Sequence, residues 1–311
     1  MESPEVIIIG GGPAGISCAL ELQDSNISYL VLEREQRIGG QLWSMKSSVR
    51  NFIGGYAENG SQTAERLEKL VEKMSANVQT NAIVEQVDLK LKSVTVNGAR
   101  HKAQAIVIAT GYRVKELRLP GSEIFSKSVY YTSKEKEEEF RGKNVAIIGG
   151  GDSAFIQSLE LSEICPKIYL IHRSNKLRAR PDLIDSVKTN KKIEMLLDTE
   201  VDSLIGQKTL TGLQVISSHS GEVRDIDAQC ILIKVGYTPN TELFRGQVNM
   251  DSSGHIQIDR DCSTSVAGIY AVGDLTKPGQ PRIATAAGQG VLAAHTIQSY
   301  LQTTKKISGK T

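Results

Sequence analysis

The chain begins with an apolar run, Val6–Ile9, that ends at a glycine turn, Gly10–Gly15. Apolar residues then recur at helical spacing over Ile16–Leu22, and a second apolar run, Tyr29–Leu32, ends at Glu33. Short runs rich in β-branched residues are typical of buried strands, and apolar residues three and four positions apart are typical of helices. The pattern therefore predicts a strand, a glycine turn, a helix and a second strand.

The same order of elements returns 139 positions later, counted from Gly10 to Gly149. An apolar run precedes the turn Gly149–Ala154, apolar residues follow over Phe155–Leu161, and the run Ile168–Ile171 ends at His172. Such self-similarity predicts two dinucleotide-binding units of related build. We therefore expect an α/β fold with two Rossmann-like, three-layer domains, each with a parallel sheet.

The segments that close these units predict how the domains are connected. Ala105–Ala109 is apolar, Cys230–Val235 is apolar except for Lys234, and each runs into a turn, as expected for the last strand of a unit. A further strand, Gly268–Val272, and a final helix, Gly288–Tyr300, follow the second unit. We therefore predict that the second unit is inserted into the first.

The predicted boundaries follow from this insertion. The first domain is expected to comprise residues 1–114 and 241–311, and the inserted domain residues 115–240.

Composition narrows the functional class. The chain has 311 residues with 37 Lys and Arg against 35 Asp and Glu, so the formal net charge is only +2. Nucleic-acid-binding surfaces are usually strongly basic, so we expect no nucleic-acid partner. No apolar run reaches the roughly 18 residues of a membrane span, and the start of the chain lacks a signal-peptide pattern. A cytoplasmic protein without a membrane partner is expected.

The first glycine turn has the spacing that binds a diphosphate. In this arrangement Gly10 permits the tight bend, Gly12 lets backbone amides approach the diphosphate, and Gly15 lets helix and strand pack closely. Glu33 follows the second strand, where a carboxylate accepts hydrogen bonds from both ribose hydroxyls and repels a 2′-phosphate. The turn is therefore predicted to bind an ADP group with a free ribose, as in FAD or NAD.

The second turn differs at the ribose end. Ala154 occupies the third glycine position, and His172-Arg173 stands where the acid would be, with Arg178 five residues beyond Arg173. Guanidinium groups match phosphate oxygens, so this end favours NADPH over NADH. A solvated basic loop is the alternative for either arginine, because Lys176 and Arg180 lie nearby.

With both turns in place, the chain resembles the low-molecular-weight thioredoxin reductase family over nearly its whole length. Further motifs carry the resemblance in the family's order. They are Gly39–Leu42, Ala109–Gly111, Gly236–Thr241, Ala271–Asp274, Arg282–Ala284 and Ala286–Gly290.

The resemblance implies FAD in the first domain, NADPH in the inserted domain, hydride transfer to the flavin and a homodimer. The FAD-binding residues it implies, those of the first turn included, are Gly10, Gly12, Pro13, Ala14, Gly15, Glu33, Arg34, Gly40, Gln41, Leu42, Asn51, Val84, Ala109, Thr110, Gly111, Gly273, Asp274, Arg282, Ile283 and Ala284. The NADP-binding residues are Gly149, Gly151, Asp152, Ser153, Ala154, His172, Arg173, Arg178 and Gly236.

The chain departs from the family where the family carries its Cys-x-x-Cys dithiol. An ungapped alignment of this segment puts Thr132 and Glu135 at the two cysteine positions, and neither residue can form a disulfide. Ser174 replaces the family's second phosphate-binding arginine, and Ile283 replaces a glutamine near the flavin. We therefore expect no catalytic side chain, and the bound FAD is the expected catalytic group.

These departures favour an NAD(P)H-dependent FAD oxidoreductase that reduces a non-disulfide acceptor, namely a ferredoxin-like protein, a quinone or dioxygen. The chain is also similar to thioredoxin-reductase-type ferredoxin–NADP reductases, which lack the dithiol as well. Three alternatives stay open: a flavin fed by ferredoxin beside a degenerate NADPH site, a non-catalytic redox sensor, and a thioredoxin reductase with an unusual route. Cys262 is the cysteine to test for that last route.

Overall fold

The computed structural model describes residues 3–45, 48–117, 119–132 and 137–308. The chain forms two compact units. The first unit is Met1–Arg113 with Thr238–Thr311, and the second unit is Val114–Tyr237. These bounds differ by one and three residues from the predicted boundaries at 114 and 241.

Eighteen strands, six α-helices and four short 3-10 helices are found among the described residues. The strands are β1 (Val6–Ile9), β2 (Tyr29–Leu32), β3 (Val78–Gln79), β4 (Val84–Asp88), β5 (Ser93–Val96), β6 (Ala99–Lys102), β7 (Ala105–Ile108), β8 (Tyr112–Val114), β9 (Val129–Tyr130), β10 (Val145–Ile148), β11 (Ile168–Ile171), β12 (Ile193–Leu196), β13 (Thr199–Gly206), β14 (Leu210–Ser217), β15 (Val223–Asp227), β16 (Cys230–Ile233), β17 (Tyr237–Pro239) and β18 (Ile269–Ala271). The α-helices are α1 (Pro13–Asp24), α2 (Gly60–Lys73), α3 (Glu137–Phe140), α4 (Asp152–Ser162), α5 (Pro181–Thr189) and α6 (Ile283–Ser308), and the 3-10 helices are Gly40–Ser44, Ser126–Ser128, Glu242–Phe244 and Asp274–Thr276.

The first unit is built on a five-stranded parallel sheet in the order β18-β7-β1-β2-β3. Every residue of β1 is buried, and successive side chains point to opposite faces. Val6 and Ile8 pack with α1 and α6 on one face, while Ile7 and Ile9 pack towards the antiparallel sheet β4-β5-β6 on the other. This arrangement makes three layers, with the carboxyl ends of the parallel strands along one edge.

The second unit repeats this plan. Its parallel sheet has the order β12-β11-β10-β16-β9. Val145 and Ile147 of β10 pack with residues of α4 and α5, whereas Ala146 and Ile148 pack with residues of the antiparallel sheet β13-β14-β15. The predicted α/β class with Rossmann-like parallel sheets is confirmed.

The charged run at residues 134–139, Lys-Glu-Lys-Glu-Glu-Glu, lies only partly in the described chain. Lys134, Glu135 and Lys136 fall outside the described residues, and α3 covers Glu137–Phe140. Phe140 is fully buried, with the Tyr130 ring 4.7 Å away between centroids. Two buried thiols donate to the end of this helix, since Cys165 Sγ lies 3.3 Å from the Phe140 carbonyl oxygen and Cys230 Sγ lies 3.5 Å from that of Glu139.

Some elements differ from the sequence-based prediction. The predicted final helix Gly288–Tyr300 is too short, because α6 begins five residues earlier, at Ile283, and continues to Ser308. The sequence pattern also did not predict α2, α5 or the two antiparallel sheets. No helix in the described ranges is long and apolar enough to cross a membrane.

Helix α6 packs directly on α1 at one glycine. A Cβ added to Gly290 would overlap the carbonyl oxygen of Ala14 and lie 2.9 Å from the nitrogen of Cys18. A Cβ added to Gly288, two residues earlier, would meet no atom within 4 Å. The close approach of the two helices therefore requires a glycine at position 290. It leaves room for a larger residue at position 288.

We expect Gly290→Ala to lower the free energy of unfolding by roughly 1–3 kcal/mol, because α6 must move away from α1. The control Gly288→Ala should raise it by about 0.5–1 kcal/mol, because alanine favours a helix over glycine. Urea unfolding followed by circular dichroism measures both. Equal stability of the Gly290→Ala variant and the wild type would contradict this account of the packing.

Candidate functional site

The first glycine turn is shaped by its contact with the end of β7. Gly10 has φ +114°, and a Cβ there would overlap the carbonyl oxygen of Ala109. A Cβ on Gly15 would overlap the carbonyl oxygen of Gly10 and lie 3.2 Å from the Ala109 side chain. Both glycines are therefore fixed by packing within the protein.

Gly12 has a different environment. A Cβ added there would meet no atom within 4 Å, so packing does not explain a glycine at this position. Gly12 is the N-cap residue of α1, Pro13 begins the helix, and no side chain caps the helix. The free N–H groups of a helix N-terminus favour an anion. The open space above Gly12 fits a diphosphate that approaches the backbone closely.

Glu33 follows β2 at the same edge of the sheet and is only 6% exposed. Its Oε2 accepts a hydrogen bond from the Gly11 amide at 2.7 Å, and its Oε1 accepts one from the Glu35 amide at 2.9 Å. Each carboxylate oxygen can accept further hydrogen bonds, which suits the two hydroxyls of a ribose. Arg34, in contrast, is exposed and forms a 2.9 Å ion pair with Glu35.

The Gly40–Leu42 stretch lies beside this turn. The Gly39 amide donates to the Gly11 carbonyl oxygen at 2.8 Å, and a Cβ on Gly40 would lie 3.6 Å from the Gly12 Cα. Gln41 reaches the other neighbour of the turn, because its Nε2 lies 3.7 Å from where a Gly111 Cβ would be. The sequence motifs around Gly12, Gln41 and Gly111 therefore come together.

Contacts of Arg37, which the sequence did not predict, hold the Gly40–Leu42 stretch in place. The Arg37 guanidinium lies 3.5 Å from the centroid of the Trp43 ring and forms two hydrogen bonds with Glu68 of α2, at 2.9 and 2.5 Å. The Trp43 ring nitrogen donates to the Ile38 carbonyl oxygen at 2.7 Å. These contacts connect the 3-10 helix Gly40–Ser44 to α2.

Asp274 lies just after β18, at the carboxyl edge of the first parallel sheet. Gly273 has φ +86°, and a Cβ there would lie 3.1 Å from the Ala14 Cβ, so this loop touches the start of α1. Gln289 of α6 fixes the loop by accepting a hydrogen bond from the Gly273 amide at 2.7 Å. Burial raises the pKa of Asp274, and a hydrogen bond from the Tyr112 hydroxyl partly opposes that rise.

The remaining predicted FAD residues are placed less closely around the turn. Val84 begins β4, two residues after Ala82, whose amide donates to the Glu33 carbonyl oxygen at 2.8 Å. Asn51 lies in an exposed loop, and exposed Arg282 donates to its neighbour Pro281. The last two predicted FAD residues begin α6, as Ile283 and Ala284. Among the residues that sequence reasoning missed, Gln289 belongs to a recognised motif, whereas Tyr112 and Arg37 have no local signal.

The second turn has the same internal geometry. Gly149 has φ +155°, and a Cβ there would overlap the carbonyl oxygen of Lys234 and lie 3.1 Å from the Ala154 Cβ. A Cβ on Gly151 would meet no atom within 4 Å. Gly151 therefore corresponds to Gly12, and its open space again fits a phosphate at a helix N-terminus, here that of α4.

The residues beyond β11 fold back on this turn. A Cβ on Gly150 would overlap the His172 ring, so the imidazole lies directly against the turn. Burial lowers the pKa of His172, and the neighbouring Arg178 and Arg173 lower it further, so the ring is neutral near pH 7. The Arg178 amide donates to the Gly150 carbonyl oxygen at 2.8 Å.

Charged side chains surround this end of the turn. Arg173 and Arg178 are exposed, and neither forms an ion pair with any residue in the described ranges. Asp152 is held instead by Arg180, whose amide donates to it at 2.8 Å. Ser174 accepts a hydrogen bond from the Lys176 amide at 2.9 Å.

The carboxyl edge of this sheet also carries the segment that aligns with the family's Cys-x-x-Cys. Lys234 follows β16, and its Nζ donates to the Tyr131 carbonyl oxygen at 2.7 Å. Thr132 comes next along the chain and is exposed, whereas Glu135 lies outside the described residues. Gly236 has φ +97°, and its carbonyl oxygen accepts a hydrogen bond from the Lys115 amide at 2.9 Å.

The four cysteines are all buried and free. Burial raises the pKa of Cys165 and of Cys262 to about 11, and it also raises the pKa of Cys18 and Cys230. Because the thiolate is the reactive form, these thiols are poor nucleophiles at neutral pH.

The chain is similar to known proteins in both sequence and structure. The family model described as pyridine nucleotide-disulphide oxidoreductase matches residues 4–290. A thioredoxin reductase from Streptomyces clavuligerus is 31% identical over 95% of this chain and 93% of its own length. The crystal structure of Lactococcus lactis thioredoxin reductase in its FR conformation covers 96% of this chain and 98% of its own, at 27% identity and a TM-score of 0.78.

A third similar protein is titled a ferredoxin-flavin thioredoxin reductase, from Clostridium acetobutylicum. It covers 98% of this chain and 99% of its own, at 25% identity and a TM-score of 0.54. The resemblance seen in the sequence motifs is therefore confirmed. The chain belongs to the pyridine nucleotide-disulphide oxidoreductase family, and within it to the thioredoxin-reductase-like flavoproteins, oxidoreductases that use FAD and NADPH.

Proposed function

We propose that this protein is an FAD-dependent NADPH oxidoreductase whose reduced flavin passes its electrons to an acceptor other than a disulfide. One observation carries the proposal: the sequence contains no Cys-x-x-Cys, and an ungapped alignment puts Thr132 and Glu135 at the two cysteine positions of the family. The acceptor is a ferredoxin-like protein, a quinone or dioxygen. The first unit binds FAD and the second unit binds NADPH, and the assembly is a homodimer, as the family resemblance implies.

The first unit offers the contacts that FAD needs. The amides of the first glycine turn and the start of α1 bind the diphosphate above Gly12, while Glu33 accepts hydrogen bonds from the ribose. Asp274, held by Tyr112 and by the loop at Gly273, accepts hydrogen bonds from the ribityl chain. When bound, FAD supplies the electron chemistry, and these residues bind and orient it.

The second unit offers a matching site for NADPH. The amides around Gly151 face the diphosphate, and the exposed guanidinium groups of Arg173 and Arg178 bind the 2′-phosphate. The neutral His172 ring lies against Gly150 and fixes the path of the chain towards Arg173. Neither guanidinium group forms an ion pair with a described residue, which supports this role, because the phosphate then displaces none of the described carboxylates.

The remaining cysteines do not offer a substitute dithiol. Cys262, the candidate for an unusual thioredoxin-reducing route, is buried, and its Sγ lies 3.7 Å from the Gln289 carbonyl oxygen. Its pKa of about 11, which burial, Asp259 and Asp261 all raise, keeps it a thiol at neutral pH. Electrons from the flavin therefore need an acceptor that approaches the flavin itself.

A second candidate function has its own support. Ser174 replaces an arginine of the family's phosphate clamp, which would weaken NADPH binding, and one structural relative is titled a ferredoxin-flavin thioredoxin reductase. In this candidate function, a ferredoxin reduces the flavin directly and the second unit binds no nucleotide.

Anaerobic reduction separates the two functions. We expect NADPH to bleach the flavin absorbance of the purified holoenzyme promptly and NADH to do so more slowly, because only NADPH carries a 2′-phosphate that Arg173 and Arg178 can bind. Reduced ferredoxin and dithionite serve as positive controls. Bleaching of the flavin by reduced ferredoxin but by neither nucleotide would contradict the leading proposal and favour the second candidate function.

Removal of the arginines should change nucleotide preference. We expect Arg173→Ala with Arg178→Ala to raise the KM for NADPH roughly tenfold or more, the size of a lost charge-assisted hydrogen bond, and to leave the KM for NADH nearly unchanged. Arg224→Ala is the control, because Arg224 pairs with Glu194 at 2.8 Å elsewhere in the second unit. An equal effect on both nucleotides would contradict the phosphate role.

The two open glycines provide reciprocal tests. We expect Gly12→Ala to fold like the wild type and to bind FAD roughly tenfold more weakly, because the methyl group fills the space of the diphosphate. Gly151→Ala should retain FAD and lose affinity for NADPH by a similar factor. Flavin content after dialysis and nucleotide titration measure the two effects. The site assignment is wrong if either substitution acts on the other ligand.

A further inference from the structure

Asp152 lies in an unfavourable place for a residue that contacts an anion. It is the first residue of α4 and directly follows Gly151, whose open space fits a phosphate of the nucleotide. A carboxylate there adds a negative charge beside the proposed diphosphate site, and like charges at short range repel each other. The sequence predicts Asp152 as an NADP-binding residue, but its charge opposes direct contact with the phosphates. Its hydrogen bonds indicate a different role.

The Asp152 carboxylate holds the backbone of the segment that leads into α5. Its Oδ1 accepts a hydrogen bond from the Arg180 amide at 2.8 Å. Two residues earlier, the Arg178 amide donates to the Gly150 carbonyl oxygen at 2.8 Å. These two hydrogen bonds attach the segment to the second glycine turn on either side of Ala179, which is buried in the core.

This attachment keeps Arg178 beside the turn. Ala179 is buried and Arg178 is exposed, so the guanidinium group extends into solvent from a backbone that the turn fixes. Of the two hydrogen bonds, only the one to the Arg180 amide depends on a side chain, that of Asp152. A substitution of Asp152 can therefore loosen the segment while the glycine turn and Arg178 itself stay unchanged.

The ion pair of Asp152 is a weaker contact than this hydrogen bond. The Arg180 Nε lies 3.4 Å from Asp152 Oδ2, and both side chains are about half exposed. Exposed ion pairs of this kind contribute little to stability. The acceptor oxygen of Asp152, rather than its charge, is therefore the feature that the fold uses.

We propose that Asp152 is a positioning residue for nucleotide specificity. Through the Arg180 amide it holds Arg178 where the guanidinium group binds the 2′-phosphate, and it thereby favours NADP over NAD. The inference rests on the proposed nucleotide site of the second unit. Its consequence is that the preference for the phosphorylated nucleotide depends on a carboxylate that does not contact the phosphate.

The test compares two substitutions that remove the same charge. Asp152→Asn keeps a side-chain oxygen that can accept the Arg180 amide, whereas Asp152→Ala keeps none. The ligands are NAD⁺ and NADP⁺, which differ only in the 2′-phosphate and do not reduce the oxidised holoenzyme. Isothermal titration calorimetry gives both Kd values. The ratio of the NAD⁺ Kd to the NADP⁺ Kd then measures how much the 2′-phosphate contributes to binding.

The two substitutions should move this ratio differently. We expect Asp152→Ala to lower it by roughly three- to tenfold, because a loosened Arg178 loses part of a charge-assisted contact. Asp152→Asn should keep the wild-type ratio or raise it, because the loss of a carboxylate favours the ligand with the additional phosphate. An effect of charge alone would move both variants towards NADP⁺, so a fall in Asp152→Ala only identifies the hydrogen bond.

Asp182→Ala is the matched control. Asp182 also lies in the first turn of a helix, here α5, and its carboxylate lies 3.7 Å from the Arg180 guanidinium instead of accepting the Arg180 amide. Its loss should leave the ratio nearly unchanged.

A double-mutant cycle shows whether Asp152 acts through Arg178. We expect Arg178→Ala to lower the ratio on its own, and Asp152→Ala to lower it no further in that background, because the two residues contribute to one contact. The single variant Arg178→Ala also tests the proposal where Asp152→Ala fails to fold, since a wild-type ratio in Arg178→Ala would overturn it.

The outcomes are distinct. A ratio that is unchanged in Asp152→Ala, or that changes by the same factor in Asp152→Ala and Asp152→Asn, would overturn the proposal. Additive effects of Asp152→Ala and Arg178→Ala would overturn it as well, because Asp152 would then act independently of Arg178. Failure of the wild type to bind either nucleotide would overturn the proposed nucleotide site, and the role of Asp152 with it.

Discussion

Both units depend on the close approach of a glycine turn to the end of the neighbouring strand. Gly10 meets the carbonyl of Ala109, and Gly149 meets the carbonyl of Lys234, in each case at a distance that leaves no room for a Cβ. This contact brings the start of a helix to the carboxyl edge of a parallel sheet, where the amides of the turn remain open to a ligand. The rest of each site is arranged around that edge.

The parts of the fold that could be predicted are those with local signals. Short apolar runs such as Val6–Ile9, followed at once by glycines, predict parallel strands and their turns wherever they occur. The antiparallel sheets carry no comparable signal, because β4 has only half-buried and exposed residues, β15 is largely exposed, and both strands are fixed by tertiary packing. The bond between Tyr112 and Asp274 joins residues 162 positions apart, and no spacing rule connects them.

The proposed loss of disulfide chemistry fits the environment of the thiols that remain. Cys165 and Cys230 donate to the carbonyl groups at the end of α3, so they stabilise the backbone directly after the segment where a dithiol would stand. A buried thiol in such a role behaves as a small apolar residue with a weak donor. The cysteines of this chain therefore belong to its packing, and the proposed electron transfer depends on the flavin.

Trp43 is the single tryptophan of the chain, and it lies one residue after Gly40–Leu42 with the Arg37 guanidinium against its ring. All tryptophan emission from this protein therefore comes from one position, next to Gly40, Gln41 and Leu42, which are predicted to bind FAD. A flavin absorbs in the range where tryptophan emits, so occupancy of the first unit can be followed by the quenching of one indole without any introduced label.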